Sequence, residues 1–216
     1  MGTDIHIVIQ VYEYDRWTTV PYRELLEDGS IWPRESQADI VLPGHFTSRC
    51  YSLFGILADV RNGTGFGGCV TGDPWPYIAE PRGLPPECDD ADDYLGDHSF
   101  TYITLEELQA YPWDTVVRRQ RGLLTQDDYH NFALTGERPA VWCGGVFGGR
   151  TVTYTEAEYA GLVAANLVPT DADVYIEAWW KETAREATAD WAGEILPALE
   201  DVAAGRPLRL VIGFDS

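Results

Sequence analysis

Asp4-Ile5-His6-Ile7-Val8-Ile9-Gln10-Val11 places Ile5, Ile7, Ile9 and Val11 on one face of an extended chain and Asp4, His6, Val8 and Gln10 on the other. Side chains in a strand alternate with period two, so this pattern predicts a β-strand with one buried face. Leu208-Arg209-Leu210-Val211-Ile212-Gly213-Phe214-Asp215 repeats it at the other end, with Leu208, Leu210, Ile212 and Phe214 inward and Arg209 and Asp215 outward. The fold turns on whether these two strands are neighbours. If they pair, Asp4, His6 and Asp215 converge at one end of the solvent-facing side of the sheet.

Outward from these strands, the first continues to about Tyr14, and Trp17 to Tyr22 returns as its hairpin partner. Arg23 to Ser48 reads as loop-rich, with Gly29, Pro33, Pro43 and Gly44 as breakers. Leu53, Phe54, Leu57 and Val60 are spaced for a helix from Tyr51 to Arg61, stopped by Gly63. Gly63 to Asp97 is long, irregular and rich in glycine and proline, a kind of loop that is usually functional or disordered. Phe100 to Ile103 reads as a short strand leading into Thr104-Leu105-Glu106-Glu107, a capping box. Thr125 and Thr155 open helices in the same way, and Ala140 to Trp142 and Thr151 to Tyr154 look like strand pieces. The apolar stripe Ile176, Trp180, Ala184, Ala187, Trp191, Ile195, Leu199 and Val202 predicts one long helix from Asp173 to Ala204, with Pro197 kinking or restarting it. The expected architecture is α+β: a single domain spanning residues 1–216, a mainly antiparallel or mixed sheet holding both terminal strands, and the long C-terminal helix packed on one face.

The chain has 35 Asp and Glu against 15 Lys and Arg, a formal charge of −20, with 45% hydrophobic residues. That is globular composition, and so acidic a surface disfavours nonspecific nucleic-acid binding. It is compatible with plain solubility, a basic or metal-ion partner, or a DNA mimic. Cys50, Cys69, Cys88 and Cys143 are too scattered for a disulfide framework or a zinc site. With no signal-peptide pattern and no apolar run near membrane-spanning length, a cytoplasmic protein without membrane association is expected.

Several motifs invite chemistry. Gly63-Thr64-Gly65-Phe66-Gly67-Gly68 matches G-x-G-x-x-G, but it follows a helix and precedes Pro74 and Pro76, so it reads as a loop rather than a dinucleotide site. Asp4 and His6, with Asp215, could hold a divalent metal ion; a polar outer strand face is the plainer reading. His98-Ser99 lies at a loop-to-strand junction, fit either for orienting an anionic ligand or for tying down the loop. His45 is similarly placed, and His130 reads as structural. Arg49, Arg61 and Arg82 stand out because cations are scarce, and each could meet a phosphate or carboxylate or pair internally. Asp89-Asp90-Ala91-Asp92-Asp93 lacks the pattern of a calcium loop and reads as a solvated acidic turn. Trp75, Tyr77, Trp142 and Phe147 fall in loop-like stretches where aromatic rings can stack on a planar ligand or join the core.

Met1-Gly2-Thr3-Asp4-Ile5-His6, Arg49-Cys50-Tyr51-Ser52-Leu53-Phe54-Gly55-Ile56-Leu57-Ala58-Asp59-Val60-Arg61-Asn62, the Glu80-to-Pro85 turn, His98 to Leu108 and the closing Val211 to Ser216 resemble a family of phage and prophage proteins that open M-G-C-D-I-H. The blocks cover about half the chain. Thr3 stands where that family usually has Cys, and Phe100 where it often has a second His, which argues against a metal site built on those positions. The resemblance implies a viral origin and a cytoplasmic protein in an infected bacterial host, and it carries no activity over. The leading expectation is therefore a phage accessory protein that binds a small anionic ligand, with nucleotide-derived molecules as one such class, and that sequesters a host immune signal. Arg49, Tyr51, Arg61, Asn62, Arg82, His98 and Ser99 form the expected ligand-binding set. The alternatives are a metal-dependent hydrolase using Asp4, His6 and Asp215, and an acidic protein-interaction module or DNA mimic.

Overall fold

The terminal strands are neighbours. In the computed structural model, which describes residues 2–26, 28–33, 38–88 and 95–215, β1 (Asp4–Glu13) runs antiparallel to the last strand, β10 (Leu208–Asp215), with Asp4 opposite Asp215 and Val11 opposite Leu208. The hairpin strand β2 (Arg16–Val20) takes the other edge of β1, and β6 (His98–Thr104) takes the other edge of β10. The resulting antiparallel sheet has the order β2-β1-β10-β6.

Contacts divide the chain into two compact units: residues 1–62, 75–116 and 183–216 form the first, and residues 63–74 and 117–182 the second. The terminal sheet belongs to the first unit. A small sheet there, β4-β3-β5, is built from β3 (Tyr22–Leu25), β4 (Ile31–Trp32) and β5 (Ile40–Pro43), so part of the stretch expected to be loop is strand. Helices α1 (Tyr51–Ala58), α2 (Leu105–Ala110), α5 (Ala184–Ala187) and α6 (Trp191–Ala203) complete the unit. Ile5, Ile7, Ile9 and Val11 meet Leu208, Leu210, Ile212 and Phe214 in a core that Ile195, Leu199 and Val202 of α6 help to close. The second unit carries a sheet of order β7-β9-β8, from β7 (Val117–Thr125), β8 (Thr151–Thr155) and β9 (Asp173–Thr183), with helices α3 (Gln126–Thr135) and α4 (Glu156–Ala165).

Three expectations are corrected. The long helix from Asp173 begins instead as strand β9, and only Trp191–Ala203, with Pro197 inside it, forms a helix of length. Ile176, Trp180 and Ala184 are spaced by four, and four is an even number, so the same residues line one face of a strand as well as one stripe of a helix. The burial of Val174, Ile176, Ala178, Trp180 and Glu182, alternating with their neighbours, shows the period to be two. Helix α1 ends at Asp59, which takes a left-handed backbone (φ 57°) and caps it before Gly63.

The third correction concerns the outer side of the terminal sheet, which is covered over β10 rather than open. Gln10, Thr101, Arg209 and Val211 are all buried. The guanidinium of Arg209 lies 4.1 Å from the Trp17 ring centroid and 5.3 Å from that of Tyr102, and it donates to Gln10 Oε1 (2.9 Å) and Glu87 Oε2 (3.2 Å). Backbone crosses directly above the strand: a Cβ at Gly213 would sit 2.0 Å from the Leu95 carbonyl oxygen, so only glycine fits. The acidic run 89–93 lies outside the described residues.

Candidate functional site

At the Asp4 end of the terminal sheet, the expected residues do assemble. Asp4 and Asp215 are register partners and therefore project side by side, and His6 Nε2 lies 3.1 Å from Asp215 Oδ2. Arg49 grips Asp4 bidentately, Nε donating to Oδ1 (2.8 Å) and Nη2 to Oδ2 (2.7 Å). His98, opposite Phe214 across the sheet, stacks on that ring (centroids 6.2 Å, planes 21° apart) and places Nδ1 2.9 Å from Ser99 Oγ. Arg61 donates from Nε to the buried Thr3 hydroxyl (3.0 Å), and its guanidinium lies 5.9 Å from the Tyr51 ring centroid.

The chemistry of this cluster is self-complementary. A metal held by Asp4, His6 and Asp215 would need the volume into which the Arg49 guanidinium already brings positive charge. Among the described residues, no group of three or more His, Cys, Asp or Glu side chains is arranged to hold a metal ion. Asn62 is structural in the same sense: its amide accepts from Trp75 N (2.6 Å) and donates to Trp75 O (2.9 Å), pinning the chain that follows. Arg82 sits apart, farther along β6, where it donates to Glu107 Oε2 (2.9 Å), to Glu107 Oε1 and to Tyr102 O (3.3 Å). That guanidinium, together with the Thr104 cap, holds the Glu107 carboxyl below the usual carboxylate range. The arginines expected to receive a ligand thus spend much of their donor capacity inside the first unit.

The second unit holds a different arrangement. Strand β8 pairs with β9 only over Asp173–Glu177. Beyond that, Trp179, Trp180 and Lys181 of β9, Arg119 of β7, Phe132 of α3 and Arg138 line a cavity of about 430 Å³. Strand alternation exposes Trp179 and Lys181 and buries Trp180 between them. The Arg119 guanidinium lies 4.6 Å from the Trp179 ring centroid, with Asp73 at 4.0 Å as its only close carboxylate among the described residues, and both of those side chains are exposed. Arg138 Nε approaches the buried Glu182 Oε2 at 3.2 Å and remains largely exposed. Lys181, the sole lysine of the chain, is exposed and has no ion-pair partner among the described residues. The Trp180 indole N–H is buried without an acceptor, an arrangement that costs free energy unless something supplies one.

Among the described residues no carboxylate lines this cavity; its walls offer two guanidiniums, one ammonium and aromatic rings, with the Trp179 indole N–H donated to Glu177 Oε1 (3.0 Å) and that of Trp180 without an acceptor. A lining of cations and N–H donors suits an anion. Sequence reasoning passed over these residues because Trp179 and Trp180 were assigned to a helix, where they would not straddle one strand. The signal was present as two adjacent tryptophans followed by the only lysine. Comparison with protein-family models, with curated proteins and with solved structures finds no match for this chain. No helix among the described residues is long and apolar enough to cross a membrane.

Proposed function

We propose that this chain is a binding protein for a small anionic ligand, and that the ligand enters the Arg119–Arg138–Lys181 groove of the second unit. One observation carries the reading: in a chain of net charge −20, three cationic side chains line one cavity that no carboxylate lines among the described residues. The volume lies in the range of small-molecule pockets. Binding of this kind needs no nucleophile. The resemblance to phage and prophage proteins fits a sequestering role in an infected cell, where holding a signal molecule would suffice. The terminal-strand cluster serves, on this reading, to lock the two ends of the first unit together.

Calorimetric titration of the full chain with inorganic pyrophosphate tests the proposal. Saturable binding is expected, and Lys181→Glu should weaken it at least about tenfold, because the change places a carboxylate where the anion sits. Lys181 is exposed, so the thermal midpoint without ligand should stay near that of the parent chain. Absence of binding, or equal binding by the Lys181→Glu protein, would overturn the assignment.

A further inference from the structure

The cations account for only part of this groove. A phosphate or carboxylate alone would satisfy Arg138 and Lys181, yet it would make no use of the aromatic part of the lining and would leave the buried Trp180 N–H without an acceptor. Trp179 and Arg119 both line the cavity, and the Arg119 guanidinium lies over the Trp179 ring, 4.6 Å from its centroid, so a flat ring can stack on the planar guanidinium or on the other face of the indole. The Trp180 side chain is 6% exposed, and its Nε1 has no hydrogen-bond partner. Its benzo edge is fixed at the other end: a Cβ at Gly122 would lie 2.7 Å from Trp180 Cη2, so Gly122 permits that ring to seat where it does. The indole is further held by Trp142 (centroids 5.7 Å) and Phe132 (6.3 Å). Trp180, whose indole N–H lacks an acceptor, thus shares the lining of the cavity with Trp179 and the cations.

We infer that the ligand is a nucleotide: a planar base stacked on Trp179, a ring nitrogen or carbonyl oxygen of that base accepting from Trp180 Nε1, and the phosphate drawn to Arg138 and Lys181. This rests on the anion-binding reading above and adds the base to it. A strand places successive side chains on opposite faces, so Trp179 and Lys181 share one side of β9 while Trp180 supplies the opposite wall. A ligand that satisfies all three must combine a flat ring, an acceptor and a negative charge. Base-on-aromatic stacking tolerates any base, so the platform sets the class of ligand and leaves base identity to the acceptor position.

The test uses the full chain and four probes: adenosine 5′-monophosphate, cytidine 5′-monophosphate, ribose 5-phosphate and adenosine, each followed by calorimetry and by quenching of tryptophan fluorescence. At least one nucleotide should bind about tenfold or more tighter than ribose 5-phosphate, and adenosine should bind more weakly than its monophosphate. Trp179→Leu, at a partly exposed position, should bring the nucleotide down to the affinity of ribose 5-phosphate while leaving ribose 5-phosphate itself unchanged. If ribose 5-phosphate binds as tightly as both nucleotides, the base inference fails and the anion reading stands. If neither the nucleotides nor ribose 5-phosphate binds, both fail. If Trp179→Leu weakens ribose 5-phosphate as much as the nucleotide, Trp179 shapes the groove rather than stacking, and the inference is again overturned.

Discussion

Replacing Glu182 by alanine should destabilise the second unit more than any other single-charge deletion in it. The side chains of Arg118 and Glu182 are 5% and 2% exposed, and Arg118 Nε and Nη2 both reach Glu182 Oε1, at 3.4 and 3.3 Å. The same guanidinium contacts the Gln120 side-chain oxygen and donates to Asp73 O at 3.3 Å. Neutral acceptors would therefore remain after Glu182 is removed, while the counter-charge would be lost. Breaking a buried pair by removing one partner costs about 3–5 kcal/mol, because the remaining charge stays desolvated. With a urea slope of about 2 kcal/mol per molar, the unfolding midpoint should fall by about 1.5–2.5 M. Urea titration followed by tryptophan fluorescence reads this, since Trp142, Trp179 and Trp180 all lie in the second unit. Glu182→Gln, which retains an acceptor, should cost less. The double change Arg118→Met with Glu182→Leu should recover most of the loss, because both buried charges go together and Arg138, which also loses its partner, is exposed. A loss under about 1 kcal/mol for Glu182→Ala, the size of an exposed pair, would refute the reasoning.

Two carboxylates of the first unit should respond to pH with opposite signs. Burial raises the Glu24 carboxyl above its ordinary range, against hydrogen bonds from Thr47 that lower it. Its contribution is therefore fully present below the unfolded value and is lost as pH rises through the folded one, so Glu24→Gln should gain thermal midpoint over the parent as pH rises from the ordinary carboxylate range through the raised folded value. A difference that stays flat across that window would contradict it. Glu107 is lowered, chiefly by the Arg82 hydrogen bonds, so its contribution is present above the unfolded value and is lost as pH falls through the folded one. Arg82→Gln should accordingly move the onset of acid unfolding to higher pH, read by circular dichroism; an unchanged onset would show that the pair carries no linkage. Gly213→Ala must displace the backbone at Leu95, whose carbonyl oxygen would lie 2.0 Å from the new Cβ. We expect a loss of about 1–3 kcal/mol or more in urea unfolding, and a neutral substitution would mean that the crossing backbone gives way easily.

The pairing of β1 with β10 was legible because Ile5, Ile7, Ile9 and Val11 obey a period that no helix shares, and their register partners obey it too. Thr104, Thr125 and Thr155 were legible as caps because the signal is local: each side chain accepts from the amide three residues on. What failed depended on longer-range facts. Residues 173–183 satisfy both periods at every fourth position, so only the placement of β8 and β7 on either side decides for strand. The cover over β10 was invisible for a related reason. Arg209 looks solvent-facing by alternation, and becomes buried only because Trp17, Tyr102 and Glu87 arrive from three other segments to surround its guanidinium.

Arg49, Arg61 and Arg82 entered the expected ligand-binding set through an argument about scarcity. With 35 carboxylates against 15 cations, the rare arginines stood out as candidates to meet a ligand, with internal pairing as the alternative. The physics runs the other way. Where carboxylates outnumber cations by more than two to one, each guanidinium has many acceptors within reach, and Arg49 with Asp4, Arg82 with Glu107 and Arg185 with Asp114 show the outcome. Scarcity therefore predicts neutralisation, and an available cation must be protected from it by its neighbours. Lys181 is protected in this way: Trp179 and Trp180 precede it, Thr183 follows Glu182, and Glu182 projects to the opposite face of β9, where Arg118 engages it. A carboxylate is thus one residue away in sequence and, through strand alternation, on the far side of the sheet in space. The same argument makes Glu182 relevant to the groove it does not line. Held by Arg118 at one oxygen and close to Arg138 at the other, it positions Arg138 at the cavity rim while keeping its own negative charge buried. Loss of Glu182 should then weaken anion binding as well as stability, whereas an independently stable groove would lose only the latter.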